Sequence, residues 1–306
     1  MQSPSAQERT PAVSVIVPVY RSEATLGLCL ARLAAQTFRD FETLLVDSSP
    51  SDACAEIVAA SHDVPGLSYL RRGERLWPQA ARQVGLGAAR GELIVFTDPD
   101  TYASPEWVGC LVAAARASGQ PVVGAIACFG RRYLDSGIHL CKFSKWLPGG
   151  PRRTVDMGPT ANLAIRRADF ERAGGFGEDH FLGDVTLSWS LRRAGARLEF
   201  EPDAVVEHDH RDTLGHFLAE RYRRGRLYGA LRLGWLRRAR PSWSLLLATL
   251  SGLRLATNLA HTARHAARAG QLGVFTATLP IVALGHAAAL AGEARAYLDG
   301  RSAVSS

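Results

Sequence analysis

Asp98 and Asp100, in the run Phe96-Thr97-Asp98-Pro99-Asp100, are the residues whose types and spacing most directly suggest chemistry. The two carboxylates, one residue apart, end an apolar, strand-like run, and in an extended segment residues i and i+2 point to the same side. Like charges so placed repel unless a cation sits between them. Hard oxygen ligands of this kind suit Mg2+ or Mn2+, which would in turn hold phosphate oxygens. Asp-Pro-Asp is also good turn chemistry, so the pair is read either as a metal site or as a turn. A second carboxylate motif is Asp47 with Ser48 and Asp52: an acid at a strand end accepts hydrogen bonds from a base or a ribose, or else caps the next helix. Arg82, in Ala80-Ala81-Arg82-Gln83-Val84-Gly85, either reaches a phosphate or an aspartate or is a solvated surface residue. Asp184 follows Gly174-Gly175-Phe176-Gly177 and stands near a helix start. There it serves as a general base or as a capping acid favoured by the helix dipole. His208 and His210 end another strand-like run, and either can ligate the same metal as the aspartates.

These residues need a scaffold that brings strand ends together. Val13–Tyr20 is a β-branched apolar run, so a buried strand; Phe41–Val46, Leu67–Arg71, Leu93–Thr97 and Ala204–Glu207 also read as strands. Helical spacing covers 24–36, 53–61, 80–89 and 185–194. Strand and helix alternating at this spacing predict an α/β fold with a mainly parallel sheet flanked by helices. Ligands of such sheets bind beyond the carboxyl ends of the strands, where Tyr20, Asp47 and Asp98 all fall.

The chain has 306 residues, 47% hydrophobic and 21% charged, which excludes a wholly disordered chain, a coiled coil or a collagen-like repeat. Its five cysteines are odd in number and show no CxxC spacing, so neither a disulfide framework nor a zinc site is expected, and a reducing compartment fits. Residues 211–306 carry 14 Arg against Asp212, Glu220, Glu293 and Asp299. The rest of the chain is close to neutral. The basic cluster is Arg221, Arg223, Arg224, Arg226, Arg232, Arg237, Arg238 and Arg240, and apolar stretches follow it at 241–263 and 269–292. That order favours an anionic membrane surface over nucleic acid, for which there is no recognisable reading motif. It predicts either helices that span the bilayer or helices that lie at its interface, with the arginines on the cytoplasmic side. Residues 1–10 form a polar tail, expected to be neither a signal peptide nor an anchor.

Taken in order, the motifs resemble the family 2 glycosyltransferases over about residues 11–211. The resemblance rests on Val13–Tyr20, Val46-Asp47, Ala81–Gly85 with Arg90-Gly91-Glu92, and Phe96–Asp100. It continues through Ala161–Arg167, Gly174–Phe176, Asp184–Gly195 and His208. It implies a GT-A fold, Rossmann-like, at 11–211, with 212–306 as a helical, partly apolar extension that is membrane-associated or packed on the domain. The function it implies is inverting, metal-dependent transfer of a sugar from a nucleotide-sugar donor to a hydroxyl acceptor such as a glycan or lipid-linked cell-surface precursor, at the cytoplasmic face of the cell membrane. Pro18, Tyr20, Asp47, Arg82 and Asp98 are the implied nucleotide-sugar contacts. Asp98, Asp100 and His208 are the implied ligands of Mg2+ or Mn2+, and Asp184 the implied base. The sequence departs from the family pattern at Ser48-Ser49-Pro50, where Asp-Gly-Ser is usual, at Gln83 for Asn, and at Gly183, where an acid usually precedes the base. A nucleotidyltransferase and a non-catalytic nucleotide-sugar-binding module at a membrane are the alternative readings. Against the former, Tyr20–Glu23 holds no glycine-rich phosphate loop.

Overall fold

The computed structural model describes residues 10–176, 182–235 and 241–299, without the side chains of 234–235, 241–248 and 251–252. Most of the polar tail, Gly177, Asp179, His180, Arg237, Arg238 and Arg240 therefore lie outside the described residues, as do many side chains of the first apolar stretch.

The elements in order are β1 (Val13–Val19), α1 (Leu26–Ala34), β2 (Phe41–Asp47), α2 (Ala53–Ala59), β3 (Leu67–Arg71), α3 (Pro78–Ala88), β4 (Leu93–Thr97), β5 (Thr101–Ala103), α4 (Trp107–Ser118), β6 (Val122–Cys128), α5 (Tyr133–Phe143), β7 (Arg153–Val155), β8 (Asn162–Arg166), α6 (Arg167–Arg172), α7 (Gly183–Arg193), β9 (Leu198–His208), α8 (Leu214–Trp235), α9 (Pro241–Arg268) and α10 (Leu272–Asp299). They form two compact units: Met1–Gly124 with Arg152–Val206, and Ala125–Pro151 with Glu207–Ser306.

The first unit is built on the sheet. β3, β2, β1 and β4 are parallel neighbours in that order, and β8 then joins β4 antiparallel, followed by β6, β9 and β5, with β7 antiparallel to β9. The sheet is thus mixed: its parallel half is the part the sequence pattern anticipates. Every residue of β1, β2 and β4 is buried, as expected of strands covered by helices on both faces. Gly85 lets α3 lie directly on them, since a Cβ there would come within 2.6 Å of the Ile16 side chain and 3.2 Å of Val46. Asn162 is structural as well: it accepts from Trp107 Nε1 at 2.9 Å and donates to the Ala204 carbonyl at 2.9 Å.

Glu42 explains the Arg90-Gly91 turn. Its buried carboxylate accepts from the Ser14 hydroxyl at 2.7 Å, the Arg90 amide at 2.6 Å and Arg90 Nε at 2.8 Å, and the Gly91 amide completes the network on Ser14 Oγ at 2.8 Å. Burial alone would raise its pKa, but these donors outweigh it and hold the carboxyl below the ordinary value. A depressed carboxyl contributes stability above its unfolded pKa, about 4.3, and loses that contribution as pH falls through the folded value. Glu42→Gln is therefore expected to lower the unfolding free energy by about 1–3 kcal/mol at pH 7. In urea melts the gap to the parent chain should close below about pH 4; a constant gap would place the effect in packing.

The second unit joins α5 to the last three helices. Ile138, Cys141, Phe217, Ala266, Phe275 and Val282 share one core. The unit is wider than the expected extension at 212–306, because α5, with the rest of 125–151, is part of it. α8 and α10 cross at glycines. A Cβ on Gly225 would fall 1.9 Å from the Ala289 carbonyl oxygen, and one on Gly292 would fall 2.0 Å from that of Tyr222. Buried Glu293 ties three helices, pairing with Arg232 at 3.0 Å and Arg254 at 2.7 Å and accepting from the Tyr297 hydroxyl. Arg226 pairs with Asp299 at 3.1 Å. Part of the basic cluster thus holds the helices together. α10 is by length and composition long and apolar enough to cross a membrane, with 39% of its most apolar window buried.

Candidate active site

The carboxyl ends of β1, β2 and β4 carry the expected residues, all in the first unit. Pro18 is buried within β1, in register with Val46. After Tyr20 the chain turns at Arg21, whose φ of +50° is uncommon for a residue with a side chain. The Arg21 amide donates to Ser49 Oγ at 2.8 Å, so the β1 and β2 ends are pinned to each other. The guanidinium of Arg75 lies over both Tyr20 and Trp77, at 4.6 and 4.8 Å from the ring centroids.

Asp47 is fully buried and its carboxylate is engaged. Oδ1 accepts from the Ser49 amide at 2.7 Å; Oδ2 accepts from the Tyr69 hydroxyl at 2.5 Å and Arg71 Nη1 at 2.8 Å. Burial, then the Asp47 carboxylate, pushes the Tyr69 hydroxyl up to about 12, so it remains a donor. Arg71 also reaches Asp52 Oδ1 at 3.3 Å. Tyr69 and Arg71 were not singled out from the sequence. Their i, i+2 spacing at the end of β3, beside the Asp47 strand, is the signal that could have found them.

Arg82 is buried in α3 and pairs with Asp98 through Oδ1, which decides against the solvated alternative. Its Nε has no hydrogen-bond partner among the described residues. Asp98 and Asp100 occupy the turn that follows β4. The turn is held by Thr101, whose amide and hydroxyl both donate to the Asp98 carbonyl, at 3.1 and 2.7 Å. Cys29 lies beneath, and its thiol is pushed up to about 12 by burial, then by the charges of Asp100 and Asp98. The hard carboxylate oxygens of this pair, with Arg82 on one oxygen of Asp98, fit a divalent cation.

Asp184 occupies the first turn of α7 and is half-buried, with Oδ1 3.0 Å from the Val185 amide. Its neighbour Gly183 seats it against α3. Gln79, in the first turn of the Arg82 helix, packs over Gly183 with no room for a Cβ. The preceding loop turns at Gly174 and Gly175, with φ of +85° and +69°, and inserts Phe176 against Phe96 and Phe170 at 5.3 and 5.1 Å. Phe96 belongs to β4, which ends at Asp98. His208 belongs to the second unit, where its ring stacks on His210 at 4.5 Å and lies 5.0 Å from Phe143.

Residues 14–161 match the family model of glycosyl transferase family 2. The chain carries a family 2 glycosyltransferase domain. It is 27% identical over 224 residues to the glycosyltransferase AglE of Haloferax volcanii, covering 71% of this chain and 72% of that protein. It is 29% identical over 223 residues to the pre-mycofactocin glycosyltransferase of Mycobacterium tuberculosis, covering 68% of this chain but only 45% of that one. The fold is GT-A. The mannosyltransferase PcManGT of Pyrobaculum calidifontis, solved with GDP-Man and Mn2+, superposes with a TM-score of 0.55 at 22% identity, over 89% of this chain and 87% of that one.

Proposed function

We propose that this glycosyltransferase domain moves a sugar from a nucleotide-sugar donor to a hydroxyl acceptor, with inversion and with Mg2+ or Mn2+. The observation that carries the reading is the Asp98–Asp100 pair at the end of β4 with buried Arg82 against it, in a family 2 domain. The pairing of GDP-Man with Mn2+ in PcManGT agrees with it. Asp98 and Asp100 would hold the cation, which supplies charge neutralisation for a diphosphate leaving group. Tyr20, with the Arg75 guanidinium over its ring, offers a surface at the donor. Asp47 underlies the base by orienting Tyr69 and Arg71 as donors, in place of reading it through unclaimed oxygens. Arg82, with an unsatisfied Nε, reaches the diphosphate. The acceptor hydroxyl attacks the anomeric carbon from the face opposite the leaving group, and its proton passes to Asp184 as the bond to the diphosphate breaks. The cation proposal rests on Asp98 and Asp100, with His208 the third expected ligand.

Incubating the purified full chain with a panel of nucleotide sugars, with and without glycan and lipid-linked acceptors, tests this reading. One donor should release nucleoside diphosphate, faster with the right acceptor. Silence on every donor would favour the non-catalytic binding module.

The second unit is proposed to sit at the cytoplasmic face of the membrane as interfacial helices. Leu253 on α9 is 70% exposed, and Leu272 and Leu284 on α10 are each 47% exposed. Such apolar surface beside an arginine-rich helix suits an anionic bilayer. Because α5 shares the core of α8–α10, truncation near residue 215 would strip α5 of its partners, so point changes are the cleaner test. The full chain should float with anionic vesicles and be released by high salt. Leu253→Ser with Leu284→Ser should weaken binding about tenfold or more, each buried leucine being worth roughly 1.5 kcal/mol or more. A parent chain that ignores anionic vesicles would make these helices a core or dimer surface.

A further inference from the structure

Outside the catalytic residues, the second unit holds a cluster built from three separate elements. Cys128 is the last residue of β6, His139 lies in the middle of α5, and His210 follows the end of β9. One ligand atom from each falls within 4.8 Å of the others. We propose that Cys128, His139 and His210 form a second metal centre for a borderline-soft ion such as Zn2+, which clips β6, α5 and the chain after β9 together.

His139 carries the argument furthest. Its Nε2 lies 3.1 Å from the Ile126 carbonyl oxygen, so that nitrogen carries the proton and donates. The lone pair of Nδ1 is thereby fixed and faces His210 Nε2 at 3.0 Å. An imidazole oriented by a backbone carbonyl on its far nitrogen is the outer-shell arrangement that metal-bound histidines have. Two Zn–N bonds of about 2.0–2.1 Å span that separation at an angle of roughly 91–97°. The two histidines are only 1% and 2% exposed. Phe143 lies 5.5 Å from the His139 ring and 6.0 Å from the His210 ring, giving the site an apolar wall.

Cys128 completes the set. Its Sγ donates to the Gly130 carbonyl at 3.2 Å, so the thiol keeps its proton until an ion arrives. Binding shifts the His210 proton from Nε2 to Nδ1, turns Sγ toward the histidines, forms the nitrogen–metal and sulfur–metal bonds and releases the thiol proton to solvent. The fourth position is left for water. Sulfur and imidazole donors select an ion different from the one held by the all-carboxylate Asp98–Asp100 pair. The centre shares no ligand with Asp98, Asp100 or His208.

The test is Co2+ titration of the chelator-stripped full chain, read by the thiolate-to-cobalt charge-transfer band, with Zn2+ as competitor. One equivalent should produce the band and Zn2+ should erase it. Asp98→Ala with Asp100→Ala should leave the band intact. Cys128→Ser should abolish it, and His139→Gln or His210→Gln should weaken Zn2+ binding by at least the roughly 10- to 100-fold that loss of an outer-shell partner costs. Zn2+ should raise the Tm of the parent chain and not that of Cys128→Ser. Absence of a thiolate band in the parent chain would overturn the proposal, whatever the folding of the variants, as would a band unchanged in Cys128→Ser.

Discussion

Asp100→Ala is expected to lower the transfer rate by about 10³-fold or more. Lewis-acid neutralisation of a leaving group is worth several kcal/mol, and each 1.36 kcal/mol is tenfold in rate. The fold should survive. The turn at 98–101 is held by Thr101, whose hydroxyl lies 2.6 Å from Thr97 Oγ1 and 3.2 Å from the Asp98 amide. Unfolding free energy should therefore stay within about 0.5 kcal/mol of the parent. Asp98→Ala should match the loss of rate but cost stability as well, because it leaves the buried Arg82 guanidinium without its carboxylate. Excess chelator should reproduce the Asp100→Ala phenotype in the parent chain, with restoration by Mg2+ or Mn2+. Full activity in chelator would end the metal proposal.

Asp184→Asn is expected to lower turnover by about 10²–10⁴-fold with donor affinity near normal, the signature of a lost general base. The amide oxygen can still accept from the Val185 amide, so the start of α7 and its seat on Gln79 should be kept. Single-turnover assays beside equilibrium donor binding separate the two effects. A variant that turns over almost normally would move the base to Asp179 or His180, which lie outside the described residues.

How much of this was legible beforehand differs from residue to residue. The parallel half of the sheet was legible because buried strands need unbroken β-branched runs, and Val13–Val19 and Leu93–Thr97 supply them. The antiparallel entry of β8 was not. An apolar run such as Asn162–Arg166 reads the same in either direction, and only its pairing with β4 fixes the sense. Asp47 was legible as a strand-end acid, but the donors that bury it come from β3. Their spacing carries meaning only once β2 and β3 are neighbours.

The second unit shows the limit most clearly. Its apolar stretches and arginines are plain in the sequence, yet the pairing of Arg232 and Arg254 on Glu293 and the glycine crossing of α8 with α10 depend on how three helices pack. The same holds for α5, which sequence order assigns to the catalytic half and packing assigns to the helices. Cys128, His139 and His210 have no metal-binding spacing along the chain; a strand, a helix and a returning strand bring them together. The sequence by itself determined the local matters: the buried strands, the acids that end them and the basic, apolar character of the tail. These follow from residue type and from periodicities of two and 3.6. The tertiary structure alone decided which distant groups share a charge, a proton or an ion, because burial and proximity set those energies and neither is a property of a neighbour in sequence.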